Sequence, residues 1–179
     1  MTGVENLTDL RAAHLLSSWN NTKLHNKIRT FLFKFYNNIL GLNSRVAKFN
    51  NEIDPSCTFC TANKLFPAEK ESFSHLFYYC PTTNKLLSTF LARYFTINSL
   101  TATEFFASKL NDKEDDNMAL QLALDIFRYY IWNCKLEKKI PTVGNFFNEI
   151  NDTIGTVYNI SIKTKHAAES CNFFRHGGE

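Results

Sequence analysis

Residues 57–81 read CTFCTANKLFPAEKESFSHLFYYCP. Within them Cys57, Cys60, His75 and Cys80 follow the spacing Cys-x2-Cys-x14-His-x4-Cys, three thiols and one imidazole, the donor set that structural zinc prefers. Thiolates are soft donors matched to zinc, and the CxxC turn lets two sulfurs converge on one ion while later residues close a tetrahedron. Four protein ligands leave no position for water, so Zn2+ bound here holds the chain together and is no hydrolytic centre. The spacing also makes a geometric demand. On an uninterrupted α-helix His75 and Cys80 would point about 140° apart, so the backbone has to bend near Tyr79. Pro81 suits that bend, because a residue before proline is pushed out of the α region. Taken singly, each ligand has a plainer reading: a chance CxxC pair, a surface histidine in SFSHLFYY, a cysteine serving as a small core hydrophobe.

Around this loop the chain is ordinary globular material, 179 residues with 44% hydrophobic and 21% charged, enough for one core or one core with a small satellite. The greasiest run, FLFKFYNNIL, is broken by Lys34, Asn37 and Asn38, so no membrane span is expected. The first residues lack the basic and apolar regions of a secretory signal. An intracellular protein, cytoplasmic or nuclear, is the expectation. Five cysteines, an odd number, fit reduced thiols better than a disulfide framework.

Hydrophobic periodicity is helical nearly everywhere. Leu24, Ile28, Phe31, Leu32, Phe35 and Ile39 form one stripe of a helix that Gly41 can end. Met118, Leu122, Ile126, Tyr129, Tyr130 and Cys134 mark a long helix from about Asn117 to Ile140, with Asp112, Asp115 or Asp116 as N-cap and Pro141 as its stop. Cys134 falls on the apolar stripe and reads as core. Val143, Phe146, Phe147, Ile150, Ile154, Val157 and Tyr158 mark another helix. Shorter ones are expected at about 7–19, 83–95 and 103–110, and YNISIKT at 158–164 is a weak strand candidate. The predicted fold is mostly α: an irregular helical domain with one CCHC zinc-stabilised loop. Its divisions are a basic, aromatic N-terminal segment (1–56), the zinc loop (57–81), a helical segment packing on the N-terminal helices (82–160) and a tail (161–179). Cys171 and His176, in that tail, are at best a weak second metal site.

Net charge is only +3, but residues 20–50 carry Lys23, Lys27, Arg29, Lys34, Arg45 and Lys48 and no Asp or Glu. These six can neutralise phosphates, and Phe33, on the polar side of its helix, can stack on an unpaired base. The alternatives are that the lysines are a solvated face and Phe33 packs beneath a neighbour. A second functional class is a docking domain, since seventeen phenylalanines are more than a small helical core obviously needs. No Gly-rich phosphate loop, nucleophile elbow or HExxH appears, so no enzyme is expected.

The layout HNKIRTFLFKFYNNILGLNSRVAKFN, then CTFC, then KESFSHLFYYCP, then LDIFRYYIWNCKLEKKIPT resembles the zinc-binding region at the C-terminal end of non-LTR (LINE-like) retrotransposon reverse transcriptases. Glu71, His75, Leu76, Phe77, Cys80 and Pro81 match its central segment; Ile131 and Trp132 with Lys135 and Lys138 match its later helix. The resemblance covers about residues 22–142. It implies RNA or DNA as partner, element RNA or target DNA, or docking on polymerase or endonuclease domains. The Tyr/Phe-x-Asp-Asp strand turn of the polymerase palm is missing. The only adjacent aspartates, Asp115 and Asp116, have no apolar strand before them and read as helix caps. The chain thus resembles a tail module that lacks the polymerase residues.

Overall fold

The computed structural model describes residues 24–64, 68–95, 97, 99–107 and 114–153. Across them the chain forms α1 (Asn26–Tyr36), α2 (Asn43–Val46), α3 (Thr58–Ala62), a π-helical turn (His75–Tyr79), α4 (Pro81–Tyr94), α5 (Ala102–Ala107) and α6 (Glu114–Leu136). Residues 143–153 are again helical. Among the described residues no strand forms; a single antiparallel bridge pairs Ser56 with Lys70. The mostly α architecture predicted from periodicity is the one observed. The expected helix at 7–19, the strand candidate at 158–164, Asp112, Lys23, Cys171 and His176 lie outside the described residues.

The α1 stripe buries Leu24, Ile28, Phe31, Leu32 and Phe35 as its spacing predicts, but Ile39 is 54% exposed. The reason is where the helix stops. Asn38 takes a left-handed φ of 51°, and its N–H bonds Phe35 O while Ile39 N–H bonds Lys34 O, the paired bonds of a Schellman ending. Asn38, and not Gly41, is therefore the terminator; no glycine has positive φ among the described residues. Leu40 and Leu42 enter the core in place of Ile39.

Helix α6 ends the same way and earlier than expected. Lys138 has φ 54°, Lys138 N–H reaches Lys135 O and Lys139 N–H reaches Cys134 O. Leu136 thus closes the helix several residues before Pro141. At its other end α6 begins at Glu114, so Asp115 and Asp116 lie within its first turn and not at the cap.

Helix α1 packs on α6, and α4 packs on the π-helical turn and α3. One cluster of buried side chains runs through all of them and takes in Cys57, Phe59 and Cys60. Most of the aromatic surplus goes here. Phe35, Phe59, Phe77, Phe90, Phe105, Phe127 and Phe146 are fully buried, meeting in edge and tilted contacts such as Phe35–Phe77 at 4.9 Å and Phe90–Phe146 at 5.0 Å, the arrangements that ring quadrupoles favour. Cys134 is buried as expected, and burial pushes its thiol up.

A buried carboxylate joins the loop of residues 57–81 to this body. Glu71, wholly inaccessible, accepts from Asn43 N–H at 2.8 Å, Thr58 N–H at 3.0 Å and Thr58 Oγ1–H at 2.8 Å. Asn43 and Thr58 are the first residues of α2 and α3, and neither helix has a capping side chain at its own N-cap. One glutamate therefore caps two helices. With each lost cap worth about 1 kcal/mol and an unsatisfied buried donor about 1–3 kcal/mol, Glu71→Ala is expected to lower stability by on the order of 2–4 kcal/mol. A urea titration that placed the variant within about 0.5 kcal/mol of wild type, the size of a surface change, would deny that capping role.

Candidate metal centre

Cys57 is the N-cap residue of α3 and Cys80 that of α4, where Pro81 supplies the first helical position, its fixed φ suited to that place. Both sulfurs consequently sit over helix N-termini. Backbone N–H groups of Cys60 and Phe59 point at Cys57, and those of Thr83 and Thr82 at Cys80. The Glu69 N–H points at Cys60. Donors of this kind favour thiolate over thiol.

His75 reaches the same point by a turn that differs from the expected bend at Tyr79. Residues 75–79 are π-helical, closed by Cys80 N–H to His75 O at 2.7 Å. An i→i+5 bond widens the turn by a residue, so positions five apart come toward one face where an α-helix would separate them. Cys80 then leaves helical geometry with φ −60° and ψ 126°, as the residue before a proline should.

The outcome is one buried cluster. All four ligand atoms of Cys57, Cys60, His75 and Cys80 lie within 4.8 Å of one another. Cys57 Sγ is 3.9 Å from Cys80 Sγ, Cys60 Sγ 3.8 Å from Cys80 Sγ, and Cys60 Sγ 3.3 Å from His75 Nε2. These sulfur separations are nearly twice the disulfide bond length of about 2.05 Å, and all three cysteines are free. Behind the imidazole, Glu69 Oε2 lies 2.9 Å from Nδ1. Nε2 is the ring nitrogen turned toward Cys60, so the carboxylate stands beside the nitrogen that is not offered to the cluster. The geometry can hold a metal ion.

The basic residues divide. Lys27, Lys34 and Lys48 are exposed, and Phe33 is 45% exposed, which removes the reading of Phe33 as core. Arg29 is half-buried beside Asn26 Oδ1 at 3.5 Å. Arg45 turns back on its own chain, donating to Leu40 O at 3.3 Å and Asn38 Oδ1 at 3.4 Å. It braces the segment after α1, a use that charge counting does not distinguish from an open cation. Comparison of the chain with protein-family models, curated proteins and solved structures returns no match. No described helix is long and apolar enough to cross a membrane.

Proposed function

We propose that the protein is a zinc-stabilised nucleic-acid-binding module, akin to the C-terminal zinc-binding region of non-LTR retrotransposon reverse transcriptases and without polymerase chemistry of its own. The zinc part rests on one observation. With bonds of about 2.3 Å to sulfur and about 2.0–2.1 Å to nitrogen, a tetrahedral zinc site has S···S edges of about 3.8 Å and S···N edges of about 3.6 Å. Three of the six separations, 3.9, 3.8 and 3.3 Å, approximate those edges, and all four ligand atoms lie within 4.8 Å of one another. Three thiolates and an imidazole suit zinc better than hard cations, and a site closed by four side chains offers no vacancy for a Lewis-acid reaction. Asp115 and Asp116 sit in a helix, unlike the strand turn that holds polymerase metals.

The nucleic-acid part is supported by the exposed Lys27, Lys34 and Lys48 in a segment without acids. Phosphate contacts of this sort give affinity without sequence choice. Replacing the three lysines with Gln is expected to weaken binding and to flatten the slope of log K against log salt, on single strands by about 0.7 for each phosphate left without its lysine, with the melting temperature unchanged. Fluorescence anisotropy at several salt concentrations measures this, and a wild-type chain that ignores RNA and DNA at low salt would sink the proposal. The runner-up is a domain that docks on a polymerase or endonuclease partner. Exposed Ile39, Val46 and Phe49, the last 87% accessible, favour it.

A further inference from the structure

Between α1 and α6 runs an open cleft of about 390 Å³. Lys27 and Lys34 stand on its α1 side, Tyr129, Trp132 and Asn133 on its α6 side, and Phe31 between them. Lys27 and Lys34 are two helical turns apart, about 10 Å along the axis. The rings brace one another: Phe31 lies 5.6 Å from Tyr129 and is stacked at 6.4 Å and 28° on Trp132. Lys135 Nζ sits 5.0 Å from the Trp132 ring centroid and is itself fixed by Gly41 O at 2.8 Å. Among the described residues lining the cleft none is acidic.

We propose that this cleft holds one unpaired nucleotide of a single-stranded nucleic acid, its base against Trp132 and Tyr129 and its flanking phosphates at Lys27 and Lys34. The inference rests on the nucleic-acid reading above and adds the place and the strand type. Planar apolar rings between two cations, with an amide at Asn133, suit a ligand that is planar, anionic and edged with hydrogen-bonding groups. The volume is near the lower limit of about 300–1,000 Å³ for small-molecule sites, room for a single base and sugar. A base within a duplex is stacked on its neighbours and cannot present its face to the rings, whereas an unpaired one can. Phe33, though exposed, is not among the residues lining the cleft, so the stacking role moves to α6.

The chain has two tryptophans, so in the full-length, metal-loaded Trp19→Phe protein all tryptophan emission comes from Trp132. Adding a short oligothymidylate should quench it saturably, in step with the anisotropy of the labelled oligonucleotide. In that background Lys27→Gln with Lys34→Gln, both exposed positions, should weaken both signals together. Trp132→Leu should weaken binding about 5- to 150-fold, the equivalent of one lost base stack, with a melting curve to show that the fold persists. Binding without quenching of Trp132 would overturn the cleft while leaving the nucleic-acid reading intact. No binding at low salt would overturn both. Equal affinity for thymidine monophosphate would replace the strand with a free nucleotide, and equal displacement and quenching by polyglutamate would reduce the site to charge alone; either result overturns the proposal.

Discussion

Cys60→Ser is expected to abolish the cooperative fold of residues 55–82 and to lower the melting temperature of the whole chain, as is treatment with a strong chelator. Structural zinc sites contribute on the order of 10–16 kcal/mol at neutral pH, while entire domains are stable by about 5–15 kcal/mol. Such a loss has nowhere to be absorbed. Cys57, Cys60 and Cys80 are part of the same buried cluster as Phe59, Leu76 and Phe77, so releasing the thiols also opens apolar surface. Three thiols and an imidazole without an ion would remain packed together away from water, and thiolates crowded at under 4 Å repel one another. Cys134→Ser is the control. Cys134 is buried but stands apart from the four-residue cluster, so that variant should keep its metal and lose stability only to the extent of a core hydroxyl, about 1–3 kcal/mol. Circular dichroism melts with and without chelator compare the two. Superimposable curves for wild-type protein would rule out zinc as a folding ligand.

Removing Arg128 is expected to have the largest effect away from the Cys57, Cys60, His75 and Cys80 cluster. Its guanidinium is fully buried and lies 2.6 Å from Asp125 Oδ1. It also donates to Tyr36 Oη at 3.1 Å and to the Phe105 carbonyl, with the rings of Phe105 and Phe35 at 4.8 and 5.4 Å from its central carbon. Arg128 therefore ties α6 to α1 and α5 at once. Arg128→Ala leaves a buried carboxylate that has lost its guanidinium, a change worth about 3–5 kcal/mol. Because the charges are also expensive to desolvate, Arg128→Met combined with Asp125→Leu should recover part of that loss, but not all of it, since the buried Tyr36 hydroxyl and Phe105 carbonyl lose their partners. Equilibrium urea unfolding of the three proteins tests the pair. A loss below about 1 kcal/mol in Arg128→Ala, the range of an exposed ion pair, would mean that the network is solvated.

The four metal-cluster residues were legible because their chemistry is rare and their order local: soft donors at CxxC spacing, then a histidine and a cysteine before proline. The helical faces were legible because a period of 3.6 residues survives any tertiary arrangement. Helix ends were less so. Asn38 and Lys138 end α1 and α6 in left-handed conformations, and a lysine carries almost no local signal for that role, whereas Gly41 and Pro141 carry strong ones that the structure does not use. The π-turn at residues 75–79 was visible only as a demand that something bend. Glu71 and Arg128 could not be read at all as buried groups. A lone charged residue looks solvent-facing until the tertiary fold brings Asn43 and Thr58 to one, and Asp125, Tyr36 and Phe105 O to the other. The cleft partners Trp132 and Tyr129 lie about a hundred residues from Lys27 and Lys34, so only the packing of α1 on α6 reveals them as one site.

The proposed closed zinc site of three sulfurs and one nitrogen is tested most directly by zinc-edge X-ray absorption on the purified full-length chain, with total metal measured on the same sample. One zinc per chain, with three sulfur neighbours at about 2.3 Å and one nitrogen at about 2.0–2.1 Å, is the expected result. Protein that folds with substoichiometric zinc, or a coordination sphere containing water oxygen in place of a thiolate or of His75, would contradict it.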